Sequence, residues 1–353
     1  MTLTSHWRYL FFFTLFTFPQ QELAFNKYKI AAFFPEDGSL ERKIFQFAAE
    51  EYKDIEIVSH EFSTSNLFNL SSTLCNLGKS GIVSGFSGSN QFATTSVIQS
   101  FFDAFDLAHV TYQTEHSKIN QAFELTPRFG PLIYSLLTKM EVKKVYVIFD
   151  KPHAMNRIPE LVNMGPYVIK NEVLRINDNT TLKRRMQEIQ NGSIRNIILM
   201  LSYPLTELFF QNALKMQMLS PDYRYIIADF RTPCRKLKFK ITGKISVTCL
   251  QLVNEQAPLV QAFMKRWLQS VQYKEYTKLH PKTQFYRLPP NEIKLEMALA
   301  YDSFQVTKAA IKNVSPYSKI GCENLDRICM SRSIKINCFG IKLKQQLSRV
   351  RFY

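Results

Sequence analysis

The sequence predicts an α/β protein built on two doubly wound parallel sheets, each covered by helices on both faces. Strand-like and helix-like periodicities alternate along most of the 353 residues. The strands number about ten, more than one strongly twisted open sheet usually carries. A loop-like break, FELTPRFGP from 123 to 131, falls around Thr126-Pro127-Arg128 and divides them into two sets.

The first strand is KYKIAAFF (27–34), stopped by the turn residues Pro35, Glu36, Asp37 and Gly38. A helix follows in SLERKIFQFAAEEYK, with Ile44, Ala48 and Ala49 on one side. DIEIVSHEF (54–62) then pairs with a helix near 65–78, and GIVSGFSGS (81–89) with a helix near 90–105. HVTYQ (109–113) closes the first set. Beyond the break come a helix over 130–140 and the apolar strand KKVYVIFD (143–150). A helix near 156–162, a strand at 167–176 and a helix over 182–189 continue the alternation. A strand at 194–202, a helix over 205–218 and a strand at 223–230 complete it. Strands alternating with helices in this way imply βαβ units and parallel sheets. Two later helices, 258–271 and 292–312, flank a polar, proline-containing segment from Lys274 to Pro290, and periodicity does not say which sheet they cover. No internal repeat is evident.

At the amino terminus, His6 and Arg8 precede an apolar run from Tyr9 to Phe18, broken by Pro19 and polar Gln20, Gln21 and Glu22. This is the order of a secretory signal peptide, ending near Ala24; the bland alternative is an apolar first strand. About ten apolar residues fall short of the roughly 20 a membrane-spanning helix needs, and no later stretch is longer. The chain is thus expected to be exported. In that setting six cysteines, Cys75, Cys234, Cys249, Cys322, Cys329 and Cys338, favour three disulfides. They form no CxxC pair, and no metal or other cofactor is expected. Sequons at Asn69, Asn179, Asn191 and Asn313 suit a glycosylated surface.

The formal charge of +16 is spread along the chain, with density at Lys183, Arg184 and Arg185 and from Arg231 to Lys244. A basic solvated face accounts for it, with an acidic glycan or lipid surface as the alternative. No nucleic-acid signature accompanies the charge.

Candidate chemistry is sparse. An open α/β sheet binds ligands at the carboxyl ends of its strands. That directs attention to the loop Ser84-Gly85-Phe86-Ser87-Gly88-Ser89-Asn90, where Ser87, Ser89 and Asn90 could hold an anion such as a carboxylate. The loop lacks GK[ST] and does not match GxGxxG, and a tight strand-to-helix turn is the stronger reading. Gly85-Phe86-Ser87-Gly88 has the wrong spacing for a nucleophile elbow, and His109 and His116 lack a placed acid partner. The next helix carries Val97, Ile98, Phe101, Phe102 and Phe105, a stripe wide enough to serve as core, as a partner contact, or as both.

Several segments together resemble the amino-terminal domains of ionotropic glutamate receptors of the AMPA/kainate group. They are FFPEDGSLERKIFQFA (33–48), STLCNLGKSGIVSGFSGS (72–89), SVIQSFFDAFDLAHVTYQ (96–113) and YRYIIADF (223–230), then FMKRWLQSVQYKEY (263–276), MALAYDSFQVTKAA (297–310) and GIKLKQQLSRVRF (340–352). The resemblance implies the clamshell of type I periplasmic binding proteins. Residues 25–127 with 251–339 would form the first lobe, and 128–250 with 340–353 a second lobe cut short before the agonist-binding and channel segments. It implies a disulfide between Cys75 and Cys322, closing a loop that the chain-entropy model values at about 5 kcal/mol. Cys234 with Cys249 and Cys329 with Cys338 would be local pairs.

The implied function is non-enzymatic: subunit assembly by dimerisation through the first lobe, with Val97, Ile98, Phe101, Phe102 and Phe105 as candidate contacts. Other glutamate receptor subunits and extracellular synaptic proteins would be its partners. The membrane would be reached only through a full-length receptor at the postsynaptic surface; as written, the chain would be secreted. A soluble binding protein for amino-acid-like molecules is the alternative, resting on Ser87, Ser89 and Asn90.

Overall fold

A computed structural model of the chain describes residues 28–36, 39–63, 66–78, 80–88, 92–111, 122–127, 129–151, 154, 170–176, 178–230, 237, 245–279, 293–314, 343–344 and 346–347. The expected signal segment, the helix near 156–162, most of the basic stretch 231–244, and residues Ser89, Asn90, His116, Cys234, Cys322, Cys329 and Cys338 lie outside them.

The first sheet holds β1 (Tyr28–Pro35), β2 (Ile55–Phe62), β3 (Ile82–Ser87), β4 (Ala108–Thr111) and β5 (Phe123–Glu124), all parallel, in the order β2-β1-β3-β4-β5. The second holds β6 (Lys144–Phe149), β7 (Lys170–Arg175), β8 (Asn196–Met200), β9 (Arg224–Ile227) and β10 (Ser246–Cys249), also parallel, in the order β10-β9-β8-β6-β7. Read from the other edge, the second order is the first again: the second strand lies outermost, then the first, third, fourth and fifth. The chain therefore builds one doubly wound topology twice. Sequence reading found no repeat because what recurs is backbone order, with no shared side chains to betray it.

Burial explains why the central strands read as continuous apolar runs. Ile30, Ala32 and Phe34 of β1 face one core and Ala31 and Phe33 the other, so residues 30–35 are all buried. Over the first face lie α1 (Ser39–Glu50) and α9 (Leu295–Asn313), whose Phe45 and Phe304 rings meet edge to face at 5.6 Å. Under the second lie α2 (Leu67–Gly78) and α3 (Phe92–Ala104). The second sheet is covered likewise. Val145, Val147 and Phe149 pack with α4 (Phe129–Lys139), while Tyr146 and Ile148 pack with α5 (Asn179–Asn191) and α6 (Tyr203–Lys215).

The later helices, α7 (Pro258–Gln269), α8 (Val271–Leu279) and α9, return to the first sheet. Their anchor is α1, which has two apolar sides. Phe45 and Ala48 face the sheet, whereas Leu40, Ile44 and Phe47 meet Phe263, Trp267 and Met297. Trp267 is 1% exposed and edge-on to Phe47 at 5.5 Å. Lys43–Glu275 and Arg266–Glu51 pairs, each at 2.5 Å, trim the exposed rim. Exposed pairs of this kind contribute little beside the aromatic burial.

Three elements depart from the sequence reading. Phe123–Glu124, read as loop, is the short edge strand β5. Ser246–Cys249 forms β10, and the first part of the segment read as a polar connection, 274–279, belongs to α8. Leu343 and Leu347, allotted to the second lobe with 340–353, are instead buried with Ile30, Val110 and Phe304 in the first core. Lys344 between them lies 4.0 Å from Asp103 and 3.9 Å from Asp106 on the α3 side.

Among the described residues no helix is long and apolar enough to cross a membrane. Cys249 is disulfide-bonded, and Cys75 sits half-buried on α2. The other four cysteines, including the expected partner Cys322, fall outside the described residues.

Candidate functional site

In each sheet the order reverses between the first and third strands, β1 and β3 in one and β6 and β8 in the other. A doubly wound fold opens its crevice at the carboxyl ends of such strands. The first crevice is floored by Ser87, Gly88 and the end of β1; the second by Asp150 and Ser202.

Neither offers a free anion cradle in its described part. Ser202 precedes α6, but its N–H donates to the Asp150 carboxylate at 3.1 Å, so the chain's own anion occupies that helix terminus. Gly88 N–H donates to the Phe33 carbonyl at 3.0 Å. Ser87 is fully buried, and its hydroxyl lies 2.9 Å from His109 Nε2. Its carbonyl accepts from Thr111 Oγ1 at 3.2 Å. Ser87, expected as a ligand contact, is thus turned inward at the end of β3. This removes the described support for the amino-acid-binding alternative.

The inward turn completes a polar chain that sequence reading missed. Gln99, one α3 turn before Asp103, presents its amide oxygen to His109 Nδ1, and its amide nitrogen donates to Asp103 at 2.8 Å. With Nδ1 carrying the proton, Nε2 must accept from Ser87, since neutral imidazole has one donor and one acceptor. His109 lies flat on Phe102, with centroids 5.0 Å apart. Burial, with Lys344 adding repulsion, pushes its pKa down to about 3, so the ring is neutral. A Ser–His–Gln chain has the outline of a nucleophile relay without its chemistry. Ser87 is sealed from substrate, and an amide cannot balance an imidazolium as a carboxylate does.

The α3 stripe is likewise core. Ile98, Phe101, Phe102 and Phe105 are at most 8% exposed, and Val97 packs beside them. Leu70, Leu74 and Leu77 of α2 take up the width that had suggested a partner. Little of the stripe expected as a subunit contact is left at the surface of the chain: Phe101 and Phe105 face a neighbouring helix, and Val97 is partly exposed. What α2 turns outward is Phe68, 83% exposed, beside the exposed sequon residue Asn69. Asn179, Asn191 and Asn313 are exposed too.

The family described as receptor family ligand binding region matches residues 46–353. The chain belongs to that family. Its two-lobed α/β architecture is that of type I periplasmic-binding proteins, and the family is one of receptors and not of enzymes. Among curated proteins, the chain is 20% identical over 259 residues to Glutamate receptor 3 of Rattus norvegicus, and equally so to that of Homo sapiens. Those alignments cover 69% of this chain and 29% of each relative. It is 20% identical over 304 residues to Glutamate receptor ionotropic, kainate 5 of Homo sapiens, covering 79% of this chain and 28% of the relative. The chain thus spans less than a third of the curated relatives it matches. No group of side chains suited to a metal ion occurs among the described residues of this receptor-family chain.

Proposed function

We propose that the chain is the extracellular amino-terminal domain of a glutamate-gated channel subunit and acts in subunit assembly and extracellular partner binding. The observation that supports this most is the pairing of the receptor family's ligand-binding region with internally satisfied crevices. Crevices in which Ser87, Gly88 and Ser202 are already bonded within the chain suit a scaffold better than a ligand trap. With the α3 stripe consumed by the core, the contact surface moves to the outer face of α2, where Phe68 stands in solvent. An exposed aromatic side chain that a partner can bury is the kind of anchor interfaces use. A glycan on Asn69 would crowd the same face, so the glycan-free form is the stricter test.

Sedimentation of the exported chain, as wild type and as Asn69→Gln, tests the reading. Self-association, or association with co-expressed AMPA or kainate subunits, is expected, and Phe68→Glu should weaken it at least about tenfold. Strictly monomeric behaviour of both forms, with no binding to either subunit type, would overturn it.

A further inference from the structure

Away from both crevices, a cavity of about 290 Å³ opens between α7, α9 and the segment Leu252–Asn254 that leads from β10 to α7. This is at the small end of the range for ligand pockets. Its walls are Leu252, Val253, Val260, Phe263 and Ala298, and the exposed side chain of Leu259 stands at its edge. One charged side chain lines it, Asp302, from α9. The walls from 252–254, from α7 and from Ile293 carry no titratable group; Tyr301, beside Asp302, is engaged by Arg266 at 3.1 Å.

Asp302 is exposed by surface area and stands at the rim of the apolar lining. Among the described residues nothing donates to its carboxylate or pairs with it. Solvent reaches it through the mouth of the cavity, yet apolar walls hold water away on the other sides and push its pKa up to about 6. A lone carboxylate at the mouth of an otherwise apolar cavity is complemented by a cation brought in by a ligand. The complementary molecule has one positive charge to meet Asp302 and an apolar body to fill the space beneath Leu259.

We propose that this cavity is a binding site for a small organic cation, a protonated amine with an apolar body, whose ammonium pairs with Asp302 while the body lies against Phe263, Val260 and Leu252. A neutral molecule of the same shape would lose the ion pair, and an anion would be repelled. The site stands on α7, α9, Ile293 just before α9 and the connecting segment, so it does not depend on the assembly role.

Phenethylammonium, phenethyl alcohol and phenylacetate, at millimolar concentration against the full exported chain at pH 7.5, provide the test, read by calorimetry and thermal shift. The ammonium is expected to raise the melting temperature by about 3 °C and to bind at least about tenfold more tightly than the alcohol, with phenylacetate not binding. Asp302→Asn should abolish the preference for the cation while leaving alcohol binding unchanged. Val260→Trp, which fills the cavity, should remove both, with circular dichroism confirming a folded chain. No binding of the ammonium by the folded wild type, equal binding of ammonium and alcohol, or an unaltered preference in Asp302→Asn would each overturn the proposal.

Discussion

Gly85 is the floor on which Phe102 rests: a Cβ built on Gly85 would sit 1.8 Å from Phe102 Cζ, well inside contact distance. Because Gly85 is interior to β3 and Phe102 is fully buried, neither backbone nor ring has room to yield. Gly85→Ala should cost about 3 kcal/mol or more by urea unfolding, as overpacked cores do. Phe102→Leu in the same chain should recover part of that loss. If the two changes cost the sum of their separate effects, the contact does not govern the site.

The buried imidazole of His109 gives stability an acid limb. Its folded pKa, about 3, lies below the unfolded value of 6.5, so the unfolded chain binds the extra proton between those values. Stability from this group is present above pH 6.5 and lost as pH falls toward 3. His109→Gln should lower stability by roughly 2 kcal/mol at pH 7 through its lost hydrogen bonds, and should flatten the decline in melting temperature from pH 6.5 to 4. An unchanged slope would show that the decline arises elsewhere.

Asp302 acts in the opposite sense. Its folded pKa is raised to about 6 from an ordinary 3.8, so its ionisation opposes folding. The associated stability is present below pH 4 and lost as pH rises through 6. Asp302→Asn should therefore raise the melting temperature at pH 7.5 and have less effect at pH 4.5. A larger gain at the lower pH would contradict the assigned environment.

Much of the fold was legible in the sequence because it rests on local pattern. KVYVIF can be little other than a strand buried on both faces, and the spacing of Leu182, Met186 and Ile189 marks one side of a helix. What escaped was whatever depends on partners distant in the chain. Ser246–Cys249 has too few large apolar residues to announce β10; it is a strand because β9 lies beside it. Phe101 and Phe105 could not reveal that α2 covers them. The Ser87–His109–Gln99 chain draws on β3, β4 and α3, and no spacing rule joins those three. Asp302 carried one faint signal, a lone carboxylate on the otherwise apolar stretch MALAYDSF, but only the return of α7 gives it walls.

Gln217 caps α6 in the left-handed region, at φ 56°, while Met218 N–H returns to the Ala213 carbonyl at 2.9 Å. Asp106 does the same after α3, at φ 52°, with Leu107 N–H reaching Phe102 at 2.8 Å. Helices end this way most cheaply with glycine. Gln217→Gly should accordingly stabilise the chain by about 0.5–1 kcal/mol in chemical denaturation. Destabilisation would mean that the glutamine side chain holds something more than its backbone.

The second sheet is drawn from one uninterrupted stretch, 129–249, whereas Phe45 and Phe47 near the start of the first wait for Phe304 and Trp267 to enclose them. A ribosome adding 5–20 residues per second needs roughly 10–50 s to travel from one set to the other. Only in the last part of that interval, once residue 249 has been made, does the second sheet have all its strands while the first still shows bare aromatic rings. Newborn chains should therefore be most in need of chaperone shelter at the end synthesised first.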